Sequence, residues 1–375
     1  MKGKEGWVLV ILFLTLMVPP IIVIVAEVSK DTSFSKISKY SLADSAKSLR
    51  FHVVGDFGNL HSEVIIDGEE PVNLVAHAMK KQAVQRPIDF ILSAGDNSYP
   101  EAYADFDQHI YKLMYDVFQL EGIKAKPWYL VLGNHDCYDD PNYEVHANKL
   151  YPMWNMPHRY YSFTKEIDGG SKALFIFLDG CILTGQGLVE YSNSTATKQY
   201  NWLIDELDKY KNDKTVAWRV VTAHMPIWSP GQGHGDNDIL KIHLYPILFE
   251  YKVDLLISGH DHIMAHLTSR IINNKPQPFK AKVPDVDCGM YTFFPFNRAS
   301  DWSQGEAIHE LLQGASGREL YLNCPGSTTT MADLLFTVSQ YGFSEVYMDQ
   351  NKIQIDYFNL TSDVPIYTTR IFRDN

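Results

Sequence analysis

The chain contains 375 residues, of which 45% are apolar and 21% are charged, and this composition supports a large buried core and excludes a mostly disordered protein. Its 33 basic and 45 acidic side chains give a net charge of −12, which argues against a nucleic-acid-binding protein, because such a protein needs a basic surface for phosphate contacts. The four cysteines are too few for a disulfide scaffold and include no CxxC pair of the zinc or redox type.

Residues 1–30 have the pattern of a leader. Lys2 and Lys4 precede an apolar run, 7–26, which is long for the core of a cleaved signal and just long enough to span a bilayer. A cleaved signal peptide and a retained signal anchor therefore both stay open, with residues 31–47 as a linker. Either leader places the rest of the chain in the secretory pathway, as a lumenal, secreted or membrane-anchored protein that faces the lumen or the exterior.

Two further features fit a lumenal location. The tripeptides that begin at Asn193 and Asn359 are acceptor motifs for N-glycosylation and predict a glycoprotein. An oxidising lumen also permits disulfide bonds, although the cysteines could equally be small buried residues. Three pairings are open to Cys137, Cys181, Cys288 and Cys324.

From residue 48 onward, short apolar runs alternate with amphipathic stretches, which predicts an α/β fold. Buried strands are expected at 49–54, 88–92, 128–132, 173–178, 217–221 and 253–257. Helices are expected at 72–85, 105–119, 197–211 and 238–251. Three later strands, with a hairpin between the last two, are expected at 319–323, 342–348 and 352–358. We interpret 48–370 as one domain in which 263–318 is a long insertion loop.

Five short polar motifs each follow one of the predicted strands. Taken alone, each motif is typical of an ordinary turn or polar loop. Because the carboxyl ends of strands in open α/β sheets converge on one crevice, five such motifs in order predict a single site. The motifs are Gly55-Asp56-Phe57-Gly58, Gly95-Asp96-Asn97-Ser98-Tyr99, Gly133-Asn134-His135-Asp136, Ala223-His224-Met225-Pro226 and Gly259-His260-Asp261-His262.

The side chains in these motifs favour a site for two metal ions. Oxygen ligands mixed with imidazoles suit iron, manganese or zinc. Two octahedral ions that share a carboxylate and a hydroxide would use all the available groups and leave positions open for a substrate, and such a pair can hold the attacking and leaving oxygens of an in-line displacement. The candidate ligands are Asp56, Asp96, Tyr99, Asn134, His224, His260 and His262.

In this order, the motifs resemble those of the calcineurin-like metallophosphoesterase superfamily. Most of that superfamily has a histidine two residues after the first aspartate, where this chain has Gly58. Tyr99 takes its place, and this exchange is similar to the purple acid phosphatases, above all the small tartrate-resistant acid phosphatases. The resemblance covers about residues 48–369, apart from the late insertion, and implies a layered metallophosphoesterase β-sandwich flanked by helices.

The resemblance also implies a role for each site residue. It assigns His135 to substrate contact, and His234 maps to a further catalytic histidine if one extra residue is allowed in 228–233. A tyrosinate ligand favours Fe(III) and would colour the protein purple. The implied centre has Asp56, Tyr99 and His262 on Fe(III), Asp96 as a bridge, and Asn134, His224 and His260 on a divalent ion, which would be Fe(II), Zn(II) or Mn(II).

The expected activity is therefore hydrolysis of small phosphomonoesters by a metal-bound hydroxide at acidic pH, with no nucleic-acid partner. His135 and His234, when protonated, would assist the departure of the leaving group. A nucleotide-selective phosphohydrolase or phosphodiesterase is one alternative, since the aromatic run 291–296 could stack on a base. A membrane-anchored non-catalytic scaffold with a protein partner is another, because glideosome-associated membrane proteins share this fold and 7–26 could be the anchor.

Overall fold

The computed structural model describes residues 48–60, 62–99, 106–138, 140–187, 193–272, 275–276, 299–323 and 332–373. The predicted leader and linker, the aromatic run 291–296, Cys288 and Cys324 lie outside the described residues. Among the helices of the described part, none has the length and apolar character required to cross a bilayer.

The described strands, numbered in chain order, form two sheets. The order of the first sheet is β11 (Ala299–Ser303), β16 (Tyr367–Phe372), β15 (Lys352–Asn359), β14 (Gly342–Met348), β1 (Leu49–Val54), β2 (Phe90–Ser93), β3 (Trp128–Leu130) and β4 (Trp154–Asn155). In this sheet, β1 through β4 pair in parallel, whereas β14 is antiparallel to both β1 and β15, and β15 is antiparallel to β16.

The order of the second sheet is β10 (Lys275–Pro276), β9 (Met264–Ile272), β12 (Ala307–Gln313), β8 (Leu255–Ser258), β7 (Val216–Thr222), β6 (Lys172–Phe177) and β5 (Tyr161–Glu166), and β13 (Asp333–Val338) also pairs with β9. Within it, β6, β7, β8 and β12 form a parallel set.

Aromatic side chains join the two sheets face to face. Phe51 of β1 and Phe90 of β2 stack on each other, and each contacts the edge of Phe175 on β6, with ring centroids 5.7 Å apart in both cases. All three side chains are buried. Aromatic residues are favoured on a pleated strand surface that has one face in the core, and two sheets pack together through such faces. This packing confirms the predicted layered α/β sandwich.

Helices cover the strands. Helix α1 begins at Pro71, which tolerates the first helical position because its missing N–H would be unpaired there, and it buries Val72, Val75 and Met79 at helical spacing. The helices are α1 (Pro71–Gln85), α2 (Phe106–Tyr111), α3 (Asn142–Ala147), α4 (Gly180–Thr184), α5 (Asn193–Tyr210), α6 (Asp238–His243) and α7 (Tyr245–Glu250).

Two helix predictions differ from the structure. The predicted helix 105–119 is α2 followed by a π-helical turn, Lys112–Val117. The predicted helix 238–251 is two helices that meet at Leu244. Pro246 explains the break, because proline has no N–H to donate to the preceding turn and is accepted only at the start of a new helix.

Two predictions for the later part of the chain were wrong. Residues 319–323 do not form a strand: Asn323 forms an isolated bridge with Gly231, while the amide of Tyr321 donates to the carbonyl of His262. The stretch 263–318 is also not simply a loop, because it contains β9, β10, β11 and β12. The hairpin of β14 and β15 is confirmed.

Candidate metal centre

The five polar motifs follow β1, β2, β3, β7 and β8, and backbone hydrogen bonds tie their loops together. The amide of Asp56 donates to the carbonyl of Gly95 at 2.9 Å, and the amide of Gly259 donates to the carbonyl of His224 at 2.9 Å. A bond between the two sheets runs from the amide of His260 to Asp56 Oδ2, at 2.8 Å. The carboxyl ends of strands from both sheets therefore form one site.

Three of the candidate ligands have a left-handed backbone. The φ angles are 56° at Asp56, 52° at Asp96 and 70° at His260. Non-glycine residues rarely adopt this conformation, which costs on the order of 1–3 kcal/mol for each, and it persists where the surroundings require it. Here it directs the three side chains into the site from the sharp turns after β1, β2 and β8.

Carboxylates, imidazoles and a phenol converge in a small volume. Asp56, Asp96 and His224 present ligand atoms that all lie within 4.8 Å of one another. The Nε2 atom of His224 is 3.4 Å from Asp96 Oδ1, and that of His262 is 3.4 Å from Asp56 Oδ1. The hydroxyl of Tyr99 donates to Asp96 Oδ2 at 2.6 Å and lies 3.2 Å from Asp56 Oδ1. These five side chains are all buried.

Backbone carbonyls hold two of the imidazoles in a ligand orientation. The Nδ1 atom of His224 lies 2.7 Å from the carbonyl oxygen of Ala94, and that of His262 lies 2.6 Å from the carbonyl oxygen of Glu319. Because Nδ1 is occupied in this way, Nε2 is left to face the carboxylates. Metal-binding histidines are commonly oriented by such a bond.

Buried polar atoms without partners support a cation at this place. Asn134 Oδ1 and both ring nitrogens of His260 are buried and have no hydrogen-bond partner among the described residues. An unsatisfied buried polar group costs about 1–3 kcal/mol, so such groups are rare unless an ion or water completes them. The donor set of carboxylate, amide, phenol and imidazole fits the expected pair of metal ions.

Burial and neighbouring charges set the protonation of three of the candidate ligands. Burial, followed by the charges of Asp96 and Asp56, raises the pKa of Tyr99 well above its usual value, so the phenol needs a nearby cation to ionise. Burial also lowers the pKa of His260, which keeps that imidazole neutral and able to bind a metal. Burial would raise the pKa of Asp96, but the neighbouring positive charge of His224 outweighs it and lowers that pKa, so the carboxylate is ionised.

The replacement of the superfamily histidine by Gly58 has a steric basis. A Cβ atom on Gly58 would lie 2.2 Å from the carbonyl carbon of Asn97 and 2.4 Å from the amide nitrogen of Ser98. The backbone of the second motif therefore occupies the space that a side chain at position 58 would need. Tyr99, which that same backbone carries, places its hydroxyl beside Asp56 instead.

The two predicted catalytic histidines also lie at this site. The ring of His135 contacts that of Tyr99, with centroids 4.4 Å apart, and its amide donates to Asp96 Oδ1 at 3.0 Å. The ring of His234 stacks on His260 at 3.7 Å. Burial lowers the pKa of His234, so its protonated form belongs to acidic solution. The structure thus brings all nine predicted site residues together, while their roles stay predictions.

Comparison with known proteins agrees with this geometry. The family model described as calcineurin-like phosphoesterase matches residues 49–264, which is more than half of the chain. The chain belongs to the calcineurin-like phosphoesterase family. Its curated relatives include tartrate-resistant acid phosphatase type 5 of Rattus norvegicus, 31% identical over 232 residues (59% of this chain and 69% of the relative), and purple acid phosphatase 4 of Arabidopsis thaliana, 30% identical over 230 residues (59% and 64%). The resemblance drawn from the motifs is confirmed.

Solved structures with the same fold include both phosphatases and a protein described as an anchor. GAP50, described as the anchor in the inner membrane complex of Plasmodium, superposes with a TM-score of 0.66 at 22% identity, covering 88% of this chain and 90% of that one. The purple acid phosphatase PPD1 of yellow lupin superposes with a TM-score of 0.59 at 17% identity, covering 88% and 54%. At these identities, both comparisons establish the phosphoesterase fold alone.

A buried polar network that the sequence reasoning did not assign supports the centre of this phosphoesterase. Asp136 accepts hydrogen bonds from the amides of Asn97, Ser98 and Gly133, at 3.0, 3.0 and 2.7 Å. Glu144 of α3 accepts from the Asn97 side chain at 2.8 Å. Burial, with the charge of Asp96, raises the pKa of Asp136 to about 7. The signal was present, since Asp136 belongs to a noted motif, but two of its three amide partners, Asn97 and Ser98, come from another loop.

A disulfide bond joins Cys137 to Cys181, one of the pairs that the sequence left open. Cys137 ends a short 3-10 turn that starts at His135, and Cys181 lies at the start of α4. The bond therefore fixes the loop that carries Asn134 and His135 to a neighbouring helix.

The segment after β12 also reaches the centre, and the sequence reasoning missed it. The amide of Arg318 donates to the carbonyl of Asp56 at 2.8 Å, and the ring of Tyr321 stacks on His262 at 4.0 Å. The small residues before Arg318 were the available signal: a Cβ on Gly314 would lie 2.0 Å from the carbonyl oxygen of Asp261, and one on Gly317 would lie 2.9 Å from Phe57 Cα. Only glycine allows this segment to pass so close.

Proposed function

We propose that this chain is a metal-dependent acid phosphatase that hydrolyses phosphomonoesters at a centre of Fe(III) and a divalent ion. The observation that carries the proposal is the convergence of Asp56, Asp96 and His224 within 4.8 Å, beside the hydroxyl of Tyr99. A calcineurin-like phosphoesterase with unsatisfied ligand atoms on Asn134 and His260 has the groups for two ions. The similarity to tartrate-resistant acid phosphatases supports the choice of monoester substrates.

Each candidate ligand would bind one or both of the two metal ions. Asp56, Tyr99 and His262 would hold Fe(III), Asp96 would bridge, and Asn134, His224 and His260 would hold the divalent ion. When bound, the two ions supply an activated water and stabilise the negative charge that develops on the phosphate oxygens.

Two histidines at the edge of the centre would protonate the leaving group. His135 rests against Tyr99, and His234 rests against His260, so both are close to the groups that would bind metal. A protonated imidazole can donate a proton to a departing alkoxide. Because burial lowers the pKa of His234, the protonated form is populated in acid, which is consistent with an acidic optimum.

Metal content and turnover of the purified full chain test this proposal. We expect about two metal ions per chain, visible absorbance in the oxidised state and hydrolysis of p-nitrophenyl phosphate that is fastest below neutral pH. Substitution His224→Ala should abolish metal binding and turnover. The matched control is His158→Ala, at an exposed histidine outside the centre, which should change neither.

The same measurements separate the catalytic proposal from an anchoring role. Fewer than about one metal ion per chain, together with no turnover, would contradict the phosphatase and favour a scaffold, since GAP50 is described as an anchor. We further propose that the protein faces the lumen or the exterior, as the leader and the Cys137–Cys181 bond suggest. Protection from external protease after the plasma membrane alone is permeabilised, lost when the internal membranes are opened too, would support a lumenal placement. Cleavage on intact cells would support an exterior placement, and cleavage as soon as the plasma membrane is opened would contradict both.

A further inference from the structure

Arg318 is a cation at the edge of the centre to which no role has been given. Its guanidinium lies over the ring of Tyr99, 4.8 Å from the ring centroid. The hydroxyl of that ring contacts Asp56 and Asp96, while its ring contacts His135. Arg318 therefore lies one aromatic ring away from the predicted ions, on the same tyrosine as the predicted substrate-contact histidine.

The position of Arg318 is fixed by its backbone. Its amide donates to the carbonyl of Asp56 at 2.8 Å, and the preceding Gly317 packs against Phe57. The next carbonyl, that of Glu319, holds Nδ1 of His262 at 2.6 Å. The backbone that carries the guanidinium is thus anchored directly to two candidate ligands, Asp56 and His262.

The guanidinium itself is available to exchange partners. It forms an ion pair with Glu319 Oε2 at 2.7 Å, and these side chains remain 30% and 46% exposed. Exposed ion pairs contribute little, about 0–1 kcal/mol, so an incoming anion can replace the carboxylate. A guanidinium binds phosphate through two parallel N–H donors, and this geometry is a stronger interaction than a single exposed pair.

We propose that Arg318 is a specificity-determining residue that binds a second phosphate next to the one that is hydrolysed. The inference rests on the proposed function and makes a phosphoanhydride, such as inorganic pyrophosphate, a better substrate than an ester with an uncharged leaving group. The guanidinium contacts the face of Tyr99 and not its hydroxyl end, so it reaches a group beside the predicted ions and not the ions themselves.

The reaction on such a substrate is a simple hydrolysis. The oxygen of one water forms a bond to one phosphorus, and the bond from that phosphorus to the bridging oxygen breaks. The bridging oxygen leaves with its electron pair on the second phosphate, where Arg318 offsets part of the charge. The protons of the water are distributed between the products and solvent, and two orthophosphates result.

The test compares pyrophosphate with p-nitrophenyl phosphate in the metal-loaded full chain. In Arg318→Gln, we expect kcat/KM for pyrophosphate to fall about tenfold or more relative to kcat/KM for p-nitrophenyl phosphate, mainly through KM, because a hydrogen bond to a charged group is lost. Arg318→Lys, which keeps the charge but loses the paired donors, should fall between the wild type and Arg318→Gln. Glu319→Gln, which removes the competing carboxylate, should lower KM for pyrophosphate about twofold to fivefold.

Two results would overturn the inference. An equal fall for both substrates in Arg318→Gln would mean that the residue only supports Tyr99, and values of kcat/KM that stay at the wild-type level for both substrates would mean that it has no part in binding. Binding of imidodiphosphate, measured by calorimetry, separates this question from the proposed function. If the wild type hydrolyses neither substrate, then weaker binding by Arg318→Gln still supports the inference, and equal binding overturns it.

Discussion

The Cys137–Cys181 bond closes a loop that runs from the turn after Asn134 to the start of α4. Replacing both cysteines with alanine should lower the free energy of unfolding, because the unfolded chain regains the freedom that the cross-link removes. For a sequence separation of 44, the loop-closure relation gives about 4 kcal/mol. Both cysteines are buried, so the loss of packing adds to this value.

Chemical denaturation without reductant measures the effect. The wild type and the double variant are unfolded in guanidinium chloride, and the difference in unfolding free energy is compared with the expected 4 kcal/mol or so. Cys181→Ala alone is the control, since either substitution opens the same loop and should lose nearly as much. Cys288 and Cys324 are unchanged in every protein compared, so they do not contribute to the difference.

The metal centre of the double variant should stay intact. Asp136 binds the same loop through the amides of Gly133, Asn97 and Ser98, and it remains in the double variant. We therefore expect the folded variant to keep its metal content while its stability falls. A loss below about 1 kcal/mol would refute the argument from loop closure, and a loss of metal from the folded variant would refute the role assigned to Asp136.

Three further predictions follow from the centre and from the core. Tyr99→Phe removes the hydroxyl beside Asp96 and Asp56, so it should abolish the visible absorbance and weaken iron binding, as measured by spectroscopy with metal analysis. A wild type that is colourless in the oxidised state and contains only zinc would contradict the assignment. Asn134→Ala should lose the divalent ion first on dialysis, and unaffected turnover would argue against a two-metal reaction. Burial lowers the pKa of His309 to about 3, whereas in the unfolded chain this imidazole has its ordinary pKa of about 6.5. Because only the unfolded chain takes up the proton as the pH falls below about 6.5, the unfolding free energy should decrease, by about 1.4 kcal/mol at about pH 5.5. Urea unfolding of the wild type and His309→Gln at about pH 7.5 and 5.5 measures this effect. The substitution should reduce the pH dependence without abolishing it, because the pKa of His266 is also lowered. Identical pH dependence in both proteins would contradict the prediction.

The parts of the fold that the sequence predicts well are those set by short-range patterns. The run 49–54 contains four apolar residues, Leu49, Phe51, Val53 and Val54, and it is a strand with those bounds. The polar motifs after such strands led to the site because the direction of a parallel strand fixes where its end lies. Local composition was sufficient at these positions.

Long-range contacts account for the errors. Residues 319–323 have strand-like side chains, but their backbone groups pair with the loops of Gln232 and His262 and not with a strand. Arg318 and Tyr321 join the centre only because β12 returns beside β8, and no local pattern predicts that return. The Cys137–Cys181 pair is likewise decided by the approach of two distant loops.

The crowded environment of Gly58 limits how this centre could be redesigned. A histidine at position 58, as in most of the superfamily, could not be introduced by that substitution alone, because any side chain there would collide with the backbone between Asn97 and Ser98. The amide of Tyr99 also donates to the carbonyl of Gly58, so moving one loop displaces the other. The two kinds of metal site are therefore separated by a coordinated shift of the main chain, which no single codon change provides.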